Sequence, residues 1–516
     1  MIKRLFIIFI MSFGISQSDE LESTLLGSFG SVTINDNVYN QFSLKPEFSI
    51  GKLGMGFDIY FYLDEDGSLY EENWNFSSTE NSLKTLVDKI YYLRWGQPLD
   101  NLYFRIGALP DITLGHGILV KDYSNVIDYP HVRRTGFDFR YKFSEFNLSI
   151  IHSDLKELDA PGLLAIRTDF DYVDNLNLGI TLVSDINQKE GLIDSDNDDV
   201  PDYLDEYPND DNYWNINQTH IEAIQSIIEL CVDPDNCDYN NDGTLDNIAQ
   251  FESLLAYWES QIPNYDLNRD QVSAISIDMT YQINENINIY SEFAQLIGET
   301  RNPYNQINNP NEFNSYDTNL GYGIIPFGMY GNFGPVQFTM DLRYSSERFI
   351  FNYWNQNYDH NRVMISTNNE LQTKENTLYN FGKLKGANIG MVANIANYVN
   401  FSFSYQYLYG EKWGFDEATA TNRYIDENNS SLLSKIDIDT SKLPKVRIAE
   451  LFYQQTNVEN PFDFKPNQNT LIGYNVGIDM ADNMVFILKG RKTYVPNNLG
   501  EYNSVKTTQI ETQILF

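Results

Sequence analysis

The chain has 516 residues with 72 acidic and 35 basic side chains, a formal charge of −37, and 14 % of its residues are aromatic. This acidity argues against a nucleic-acid binder, which needs clustered Lys and Arg for phosphate contacts, and the apolar content excludes a disordered chain. Two Cys cannot make a disulfide-dense scaffold. After the N-terminus no run of about 18 apolar residues exists, which excludes a helical membrane protein.

Residues 1–18 predict an export signal. Lys3 and Arg4 precede an apolar run, and residues 16–18 (SQS) form a small-x-small cleavage site. A short anchor helix is the alternative, but the run is shorter than the roughly 20 residues that span a bilayer. We therefore expect the mature chain to be exported to a compartment that permits disulfides.

The chain after the signal alternates between apolar and polar residues with a period of two. In residues 399–409 (VNFSFSYQYLY), Val and aromatic residues occupy the odd positions, and Asn, Ser and Gln occupy the even positions up to 406. The same alternation recurs in residues 137–143, 275–283, 338–344 and 472–480. Successive side chains of a strand point to opposite faces, so each segment is a predicted two-faced strand.

A soluble β-sandwich would also alternate, but three features favour a transmembrane barrel. Many segments run to about ten residues, the length with which a tilted strand crosses the hydrocarbon. Tyr and Phe cluster near the segment ends, and short turns alternate with long polar loops, as in outer-membrane barrels. The predicted short turns lie around 51–52, 144–145, 174–175, 284–285, 397 and 482–483. The predicted long loops are 64–85, 109–133, 185–271, 298–318, 349–383, 410–432 and 494–504.

The C-terminal sequence KTTQIETQILF is an alternating strand that closes on Phe516. It resembles the terminal strand of bacterial outer-membrane β-barrel proteins, whose last residue is commonly Phe and serves as an assembly signal. The resemblance implies an outer-membrane location, with outer-membrane lipid, lipopolysaccharide and the barrel-assembly machinery as partners. If this strand ends in the periplasm, strand parity places the short turns there and segment 185–271 outside the cell.

The predicted fold class is therefore all-β: a transmembrane antiparallel β-barrel of about 16–20 strands, with a small helical calcium-binding insert in one extracellular loop. The predicted domains are the signal peptide (1–18), the N-terminal part of the barrel (19–188), the insert (189–271) and the C-terminal part of the barrel (272–516).

The insert is the most acidic part of the chain, because residues 191–270 hold 20 acidic side chains and one basic, a net charge of −19. Its first loop, residues 194–205, resembles a thrombospondin type-3 repeat, although Asp199 stands where such repeats usually carry Gly. Its second loop, residues 238–246, resembles the first nine positions of an EF-hand or dockerin loop, although Ala249 stands at the acidic twelfth position.

Calcium takes six to eight oxygen ligands, and Asp or Asn at alternate positions of a tight turn converges on one point. The resemblance implies Ca²⁺ as a cofactor, and a solvated acidic loop is the alternative reading. The predicted ligands are Asp194, Asp196, Asp198, Val200, Asp202 and Asp205 in the first loop, and Asp238, Asn240, Asp242, Thr244 and Asp246 in the second, with Val200 and Thr244 contributing backbone carbonyls.

Two helices are predicted beside the second loop, one capped by Asn217 and ending at Leu230, the other starting at Asp246. Cys231 and Cys237 enclose five residues, and in an exported chain we predict a disulfide between them, two free thiols being the alternative. A module this small needs such covalent or metal staples.

The sequence predicts no enzyme. No GxSxG, HExxH or P-loop motif occurs, and the five His residues are scattered over predicted loops and strand ends. His116 lies in the sequence LGHGI, near Asp122 and His131. That loop either folds inward and constricts the pore or is an ordinary polar loop.

The leading hypothesis is a porin-like channel for passive diffusion of small polar solutes, with a calcium-stabilised external cap. The predicted lumen residues carry both signs, which predicts weak ion selectivity or recognition of neutral solutes; they are Arg105, Asp138, Arg140, Lys142, Arg167, Asp169, Asp278, Glu292, Asp341 and Arg343. The alternative is a surface adhesin or partner-binding protein anchored by the barrel. Its predicted contacts to another cell, a polysaccharide or a secretion component are the insert and the aromatic residues Trp354, Tyr358, Trp413 and Phe415.

Overall fold

The structure is a computed structural model that describes residues 21–515 except for some short stretches and one longer one. The excepted residues are 35–36, 65, 71–73, 127–132, 159–160, 193, 195–197, 199, 203, 209, 231–247, 264–267, 306–315, 366–370, 396–397, 439–444, 482–483 and 497–501. The predicted export signal, the Cys231–Cys237 pair, Asp196, the second calcium loop (238–246) and Phe516 therefore lie outside the described residues.

Twenty antiparallel strands in the described residues close into one barrel, which confirms the predicted all-β barrel and the upper end of its strand count. The strands of the first half are β1 (Leu21–Ile34), β2 (Asn37–Ile50), β3 (Leu53–Phe57), β4 (Ile59–Leu63), β5 (Ile90–Trp95), β6 (Leu102–Gly107), β7 (Gly136–Lys142), β8 (Asn147–His152), β9 (Leu164–Val173), β10 (Leu176–Asp185) and β11 (Val272–Asn284). Segments β3 and β4 flank Asp58 and both pair with β2, so they count as one interrupted strand.

The second half of the chain adds the remaining barrel strands and two small two-stranded sheets, β13–β14 and β17–β18, in the connections. These strands are β12 (Ile287–Ile297), β13 (Glu299–Arg301), β14 (Tyr316–Asn319), β15 (Tyr322–Phe333), β16 (Val336–Ser345), β17 (Val363–Ile365), β18 (Leu371–Thr373), β19 (Phe381–Ile395), β20 (Val399–Asp416), β21 (Thr421–Ile438), β22 (Val446–Val458), β23 (Thr470–Ala481), β24 (Met484–Pro496) and β25 (Tyr502–Leu515).

The barrel is an up-and-down meander, in which each barrel strand pairs with the next along the chain. The last strand, β25, pairs with β1 from Leu26 opposite Leu515 to Ser31 opposite Ile510. This pairing leaves the sheet without a free edge, which removes the unpaired backbone groups that an open sheet would expose.

Connection length separates the two ends of the barrel. One end carries the predicted short turns, where residues such as Gly51 (φ 56°) and Asn175 (φ 69°) adopt the positive φ that two-residue hairpins require. The other end carries the long connections, including 64–89, 108–135 and 346–380. We call these the short-turn end and the long-loop end.

The predicted long loop at 410–432 is wrong. Strands β20 and β21 each run for 18 residues there and are joined by only four. The apolar alternation stops before the hydrogen-bonded ladder does, because cross-strand ion pairs replace it. Lys412 Nζ lies 2.6 Å from Glu427 Oε1, and Arg423 Nη2 lies 2.7 Å from Asp416 Oδ2.

The helices belong to the connections between the barrel strands. They are α1 (Thr79–Asp88), α2 (Ile216–Leu230), α3 (Ile248–Gln261) and the single turn α4 (Tyr358–Asn361). The sequence predicts Asn217 as the cap of α2, two residues after the cap in the structure. Asn215 Oδ1 accepts from the Asn217 amide (3.0 Å), and Gln218 Oε1 accepts from the Asn215 amide (2.9 Å), a reciprocal capping box. No helix of the described residues is long and apolar enough to span a bilayer.

Candidate functional site

The wall of the barrel exposes apolar side chains and buries polar ones. On β11, Ile277 and Met279 are 53 % and 50 % exposed, whereas Ser276 and Asp278 are 1 % and 2 % exposed. Ile277 lies opposite Ile180 on β10 and Phe293 on β12, which are also exposed and form a continuous outward row with it. The lumen therefore takes the polar side of each strand.

Two long connections turn into the lumen and meet there. We call residues 108–126 lumen loop 1 and residues 346–365 lumen loop 2. Val120 forms a parallel bridge with Trp354, and the Lys121 amide donates to the Trp354 carbonyl oxygen over 3.0 Å. The two loops therefore satisfy some of each other's backbone hydrogen bonds.

Apolar side chains hold both loops against the inside of the wall. Ile118, Val120 and Trp354 are fully buried. They belong to one core with inward residues of strands β8 to β12, β15, β19 and β20. Its members include Leu109, Ile112, Leu114, Leu119 and Tyr123 of lumen loop 1, Phe349, Ile350, Phe351, Tyr353 and Tyr358 of lumen loop 2, and Ile151, Ala165, Val183, Ala274, Tyr290 and Ala294 of the wall. The description of 109–133 and 349–383 as polar loops is therefore wrong for these segments.

The tip of lumen loop 1 is anchored on a wall carboxylate. Glu292 Oε2 accepts from the backbone amides of His116 (3.1 Å) and Ile118 (3.2 Å). Gly115 (φ 60°) and Gly117 (φ 86°) adopt left-handed conformations that make this tight tip possible. A Cβ on Gly115 would lie 2.5 Å from Glu292 Oε1, so a larger residue would have to displace either the carboxylate or the tip.

The His116 side chain is buried at the same tip. Its ring stacks on Tyr290 with centroids 3.9 Å apart, and Nε2 lies 2.8 Å from Thr280 Oγ1. Burial lowers the pKa of His116 to about 4, although the Asp278 carboxylate, 4.0 Å away, acts in the opposite direction. The imidazole is therefore neutral at pH 7, because burial disfavours its charged form.

The predicted lumen charges are largely paired with one another. Arg167 Nη1 and Nη2 lie 2.5 and 3.0 Å from the two oxygens of Asp278. Arg140 binds both oxygens of Asp138 in the same way, at 3.0 and 2.8 Å. Lys142 differs, because it is exposed and donates to a backbone carbonyl. A third pair, Arg343 with Asp341, and the remaining residues Arg105, Asp169 and Glu292 also lie on the lumen side of their strands.

A second buried anchor holds lumen loop 2 to the end of β10. The Tyr358 hydroxyl donates to Asp185 Oδ2 over 2.9 Å, and Arg362 Nη1 lies 3.2 Å from the same oxygen. Tyr123 of lumen loop 1 donates to Asp359 Oδ2 over 2.8 Å. The two lumen loops are therefore fixed to each other by side chains as well as by backbone.

The aromatic residues assigned to partner binding do not form an exposed set. Trp354 and Tyr358 are fully buried in the lumen, and Trp413 is 8 % exposed beneath Tyr304 and Tyr424. Phe415 alone of the four is well exposed, at 60 %. The adhesin hypothesis thereby loses three of its four aromatic contact residues, and its use of the insert stays a prediction.

A partly open cleft remains between the lumen loops and strands β19 to β22. Its wall is rich in side-chain amides, with one cationic and one anionic residue, Lys121 and Asp122. The amides that line it are Asn352, Asn355, Gln356, Asn388, Gln406, Gln454 and Asn457. This cleft is the candidate solute-binding site.

Neither lumen loop 2 nor the cleft was recognised in the sequence. A signal for the loop exists: residues 349–354 read FIFNYW, and five of these six residues are apolar or aromatic, although they lie in a predicted polar loop. Residues 118–120 (ILV) carry the same signal in lumen loop 1. The cleft has no local signal, because its amides come from four different segments of the chain.

The predicted calcium ligands are only partly described. Asp198 Oδ1 accepts from the Val200 amide (2.8 Å), and Asp205 Oδ1 accepts from the Tyr207 amide (2.6 Å), so both make tight local turns. Val200 packs in a small core with Leu371 of β18. Within the described ranges, no three His, Cys, Asp or Glu side chains are placed to hold a metal ion. With Asp196 and the second loop outside those ranges, calcium binding stays a prediction.

No family model matches the chain, and no curated protein matches it. Among solved structures, the outer membrane protein OprD from Pseudomonas aeruginosa is similar at 8 % identity and a TM-score of 0.35, over 98 % of this chain and 96 % of that chain. A BenF-like porin from Pseudomonas fluorescens Pf-5 is similar at 8 % identity and a TM-score of 0.32, over 98 % and 100 %.

The Escherichia coli outer membrane protein Wzi, involved in group 1 capsule assembly and described as a carbohydrate binding β-barrel, is similar at 9 % identity and a TM-score of 0.28. That match covers 96 % of this chain and 84 % of Wzi. At TM-scores this low the likeness carries no argument, and the proposals for this chain rest on its own residues.

Proposed function

We propose that the protein is an outer-membrane channel through which small polar solutes diffuse passively. The exposed apolar wall is the observation that carries the proposal. A water-soluble protein would bury Ile277 and expose Asp278, and this barrel does the reverse. An outward apolar band with a polar interior is the arrangement of barrels that cross a lipid bilayer.

The lumen loops narrow the channel. A twenty-strand barrel is wide enough to enclose a lumen that wall side chains alone cannot fill. Lumen loops 1 and 2 fill one side of it, and the remaining polar space includes the cleft beside β19 to β22. The paired charges of the lumen favour weak ion selectivity, because each fixed charge is partly cancelled by its neighbour.

The location and partners follow from the same proposal. The outward apolar band contacts outer-membrane lipid, and the C-terminal strand with Phe516 serves as the signal for the barrel-assembly machinery. The long-loop end, which carries the acidic insert, faces the cell exterior, where divalent cations bridge it to lipopolysaccharide. We propose no catalytic role for any residue of the barrel.

The insert is proposed to bind calcium through its two acidic loops. The support is the alternate spacing of carboxylates and amides in 194–205 and 238–246, since hard carboxylate oxygens are the ligands that Ca²⁺ prefers. Bound calcium would offset the repulsion within a segment of net charge −19. A disulfide between Cys231 and Cys237 would close the turn between the two helices.

Reconstitution into planar lipid bilayers tests the channel proposal. We expect the purified chain to require detergent and to give discrete, weakly selective conductance steps in KCl. The Ile277→Arg variant should insert poorly, because an Arg facing lipid near mid-bilayer costs about 2–4 kcal/mol. The matched variant Asp437→Arg places the same side chain on the lumen side of β21 and should insert normally. A chain that dissolves without detergent as a compact monomer, or that inserts without conducting, contradicts the proposal.

A further inference from the structure

The cleft presents polar atoms without a net charge. Lys121 and Asp122 are adjacent in lumen loop 1 and contribute one charge of each sign to its lining. The donors and acceptors of its amides therefore decide what it can hold.

Two of the lining amides already make hydrogen bonds to the protein. Asn388 Nδ2 donates to Asp341 Oδ2 over 2.9 Å, and its Oδ1 accepts from Ser404 Oγ over 3.1 Å. Gln406 Oε1 accepts from Arg343. These bonds hold both side chains in the wall of the cleft.

Gln454 of β22 is different. It is 2 % exposed, and neither its Oε1 nor its Nε2 has a hydrogen-bond partner anywhere in the described chain. Across the cleft, Asn352 Oδ1 of lumen loop 2 is likewise buried without a partner among the described residues. A buried polar group left unpaired costs about 1–3 kcal/mol, so two such amides facing one cleft point to an external partner.

The chemistry of that partner follows from the carboxamide. It offers a donor and an acceptor side by side, and a hydroxyl group both donates and accepts, so adjacent hydroxyls satisfy the whole amide. A carboxylate only accepts and an ammonium only donates, so either ion would leave half of Gln454 unpaired. An ion would also lose its hydration in a cleft that carries no net charge to replace it.

We propose that the cleft is a binding site for neutral, hydroxyl-rich solutes, such as small saccharides, held by Gln454 and Asn352. The site deepens the channel proposal and rests on it, since such solutes would reach the cleft while crossing the lumen. The site selects solutes by hydrogen bonds from the side-chain amides of Gln454 and Asn352 and not by fixed charge.

The test is current block by sucrose in planar bilayers containing the full chain. Sucrose should reduce the channel current at lower concentration than sodium gluconate or choline chloride. The Gln454→Leu variant should raise the sucrose concentration for half-block about two- to tenfold, the range that loss of a hydrogen bond gives. Asn352→Gly should act in the same direction, because Gly tolerates the backbone of Asn352 (φ 58°).

The matched control is Gln41→Leu. Gln41 is a buried lumen amide on β2 (3 % exposed) that lies outside the cleft and pairs with Gln509, so its loss should leave the sucrose block unchanged. Equal block in the parent and Gln454→Leu, or equal block by gluconate and sucrose, overturns the inference.

A chain that gives no current refutes the channel proposal but still allows the site to be tested. Equilibrium dialysis of radiolabelled sucrose against the detergent-solubilised full chain reports binding without any current. Retention by the parent and its loss in Gln454→Leu supports the site, and no retention by the parent overturns it.

Discussion

Lumen loop 1 and the acidic insert are both long connections at the same end of the barrel, yet they relate to the wall in opposite ways. Lumen loop 1 enters the lumen and buries Ile118 and Val120 completely against it. The described part of the insert is joined to the rest of the protein at its root, where the Gln188 amide donates to the Asp270 carbonyl oxygen over 2.8 Å, and through Val200, which packs against Leu371 of β18 in another long connection.

The difference follows from what each segment can bury. Burying an apolar run stabilises the protein by about 25 cal/mol per Å² of apolar surface removed from water, and the lumen offers a large space in which to bury it. A segment with a net charge of −19 would have to give up the hydration of its carboxylates to enter the lumen. Hydrophobicity therefore decides which connection narrows the pore, whereas acidic spacing marks a module outside it.

The largest effect is expected from expelling lumen loop 1. In Gly115→Val, the added side chain collides with Glu292, and a β-branched residue is strained at φ 60°. We expect the tip to leave the wall and the single-channel conductance to increase severalfold, as measured in planar bilayers.

The control for this variant separates backbone strain from contact. Gly67 also has a positive φ (80°), but no atom lies within 4 Å of the position of its Cβ. Gly67→Val should therefore keep the parent conductance. An unchanged conductance in Gly115→Val would mean that lumen loop 1 does not limit the pore.

Removing the carboxylate beneath the tip should have a smaller effect. Glu292→Ala leaves the amides of His116 and Ile118 without their acceptor, which costs about 1–3 kcal/mol for each buried group. We expect frequent openings to a larger conductance level. Glu292→Gln keeps an acceptor oxygen at the same place and should open far less often. Equal behaviour of the two variants would contradict the anchoring role of Glu292.

Much of the fold follows from the sequence because the barrel obeys one local rule. Alternation on β11 predicts both its strand and its exposed face, and short turns such as the one at Asn175 predict where strands reverse. The rule fails for the β20–β21 hairpin, where the ion pair between Lys412 and Glu427 sustains strand pairing without apolar alternation.

The candidate site is less predictable, because it depends on contacts between distant segments. His116 stands out in the sequence by its flanking glycines, and the alternative of an inward fold was open there. Gln454 does not stand out at all, since one polar residue on the lumen side of a strand is ordinary. It becomes a candidate only because the structure buries it in the lining of the cleft without a hydrogen-bond partner among the described residues.

Acid should weaken the docking of the lumen loop 1 tip, which carries His116, by a moderate amount. The pKa of His116 is lowered to about 4 by burial, whereas an undocked tip would have the usual value near 6.5. Between pH 6.5 and 4 the undocked form binds more protons, so docking loses stability as the pH falls, by at most about 3 kcal/mol. Above pH 6.5 the docking stability is complete.

The measurement is the fraction of time in the larger conductance level between pH 7 and pH 4. It should rise as the pH falls in the parent and be independent of pH in His116→Gln, which cannot take up the proton. His220→Gln changes an imidazole in the insert, next to Trp258, and should keep the parent profile. The same rise in His116→Gln would assign the effect to another group.

Calcium removal should affect the insert and leave the barrel unchanged. The root is held without metal, since Thr373 Oγ1 donates to Asp270 Oδ2 over 2.6 Å. EDTA should therefore increase protease cleavage within 189–271, while the conductance stays that of the parent.

The double variant Asp202→Asn/Asp205→Asn should be cleaved readily even with calcium present. Asp210→Asn, which changes a carboxylate outside the predicted ligand set, should stay protected. Cleavage that is equal with and without calcium would make 194–205 an ordinary solvated acidic loop. Conductance that changes with EDTA would instead couple the insert to the lumen loops through its root, and the separation drawn between the two regions would fail.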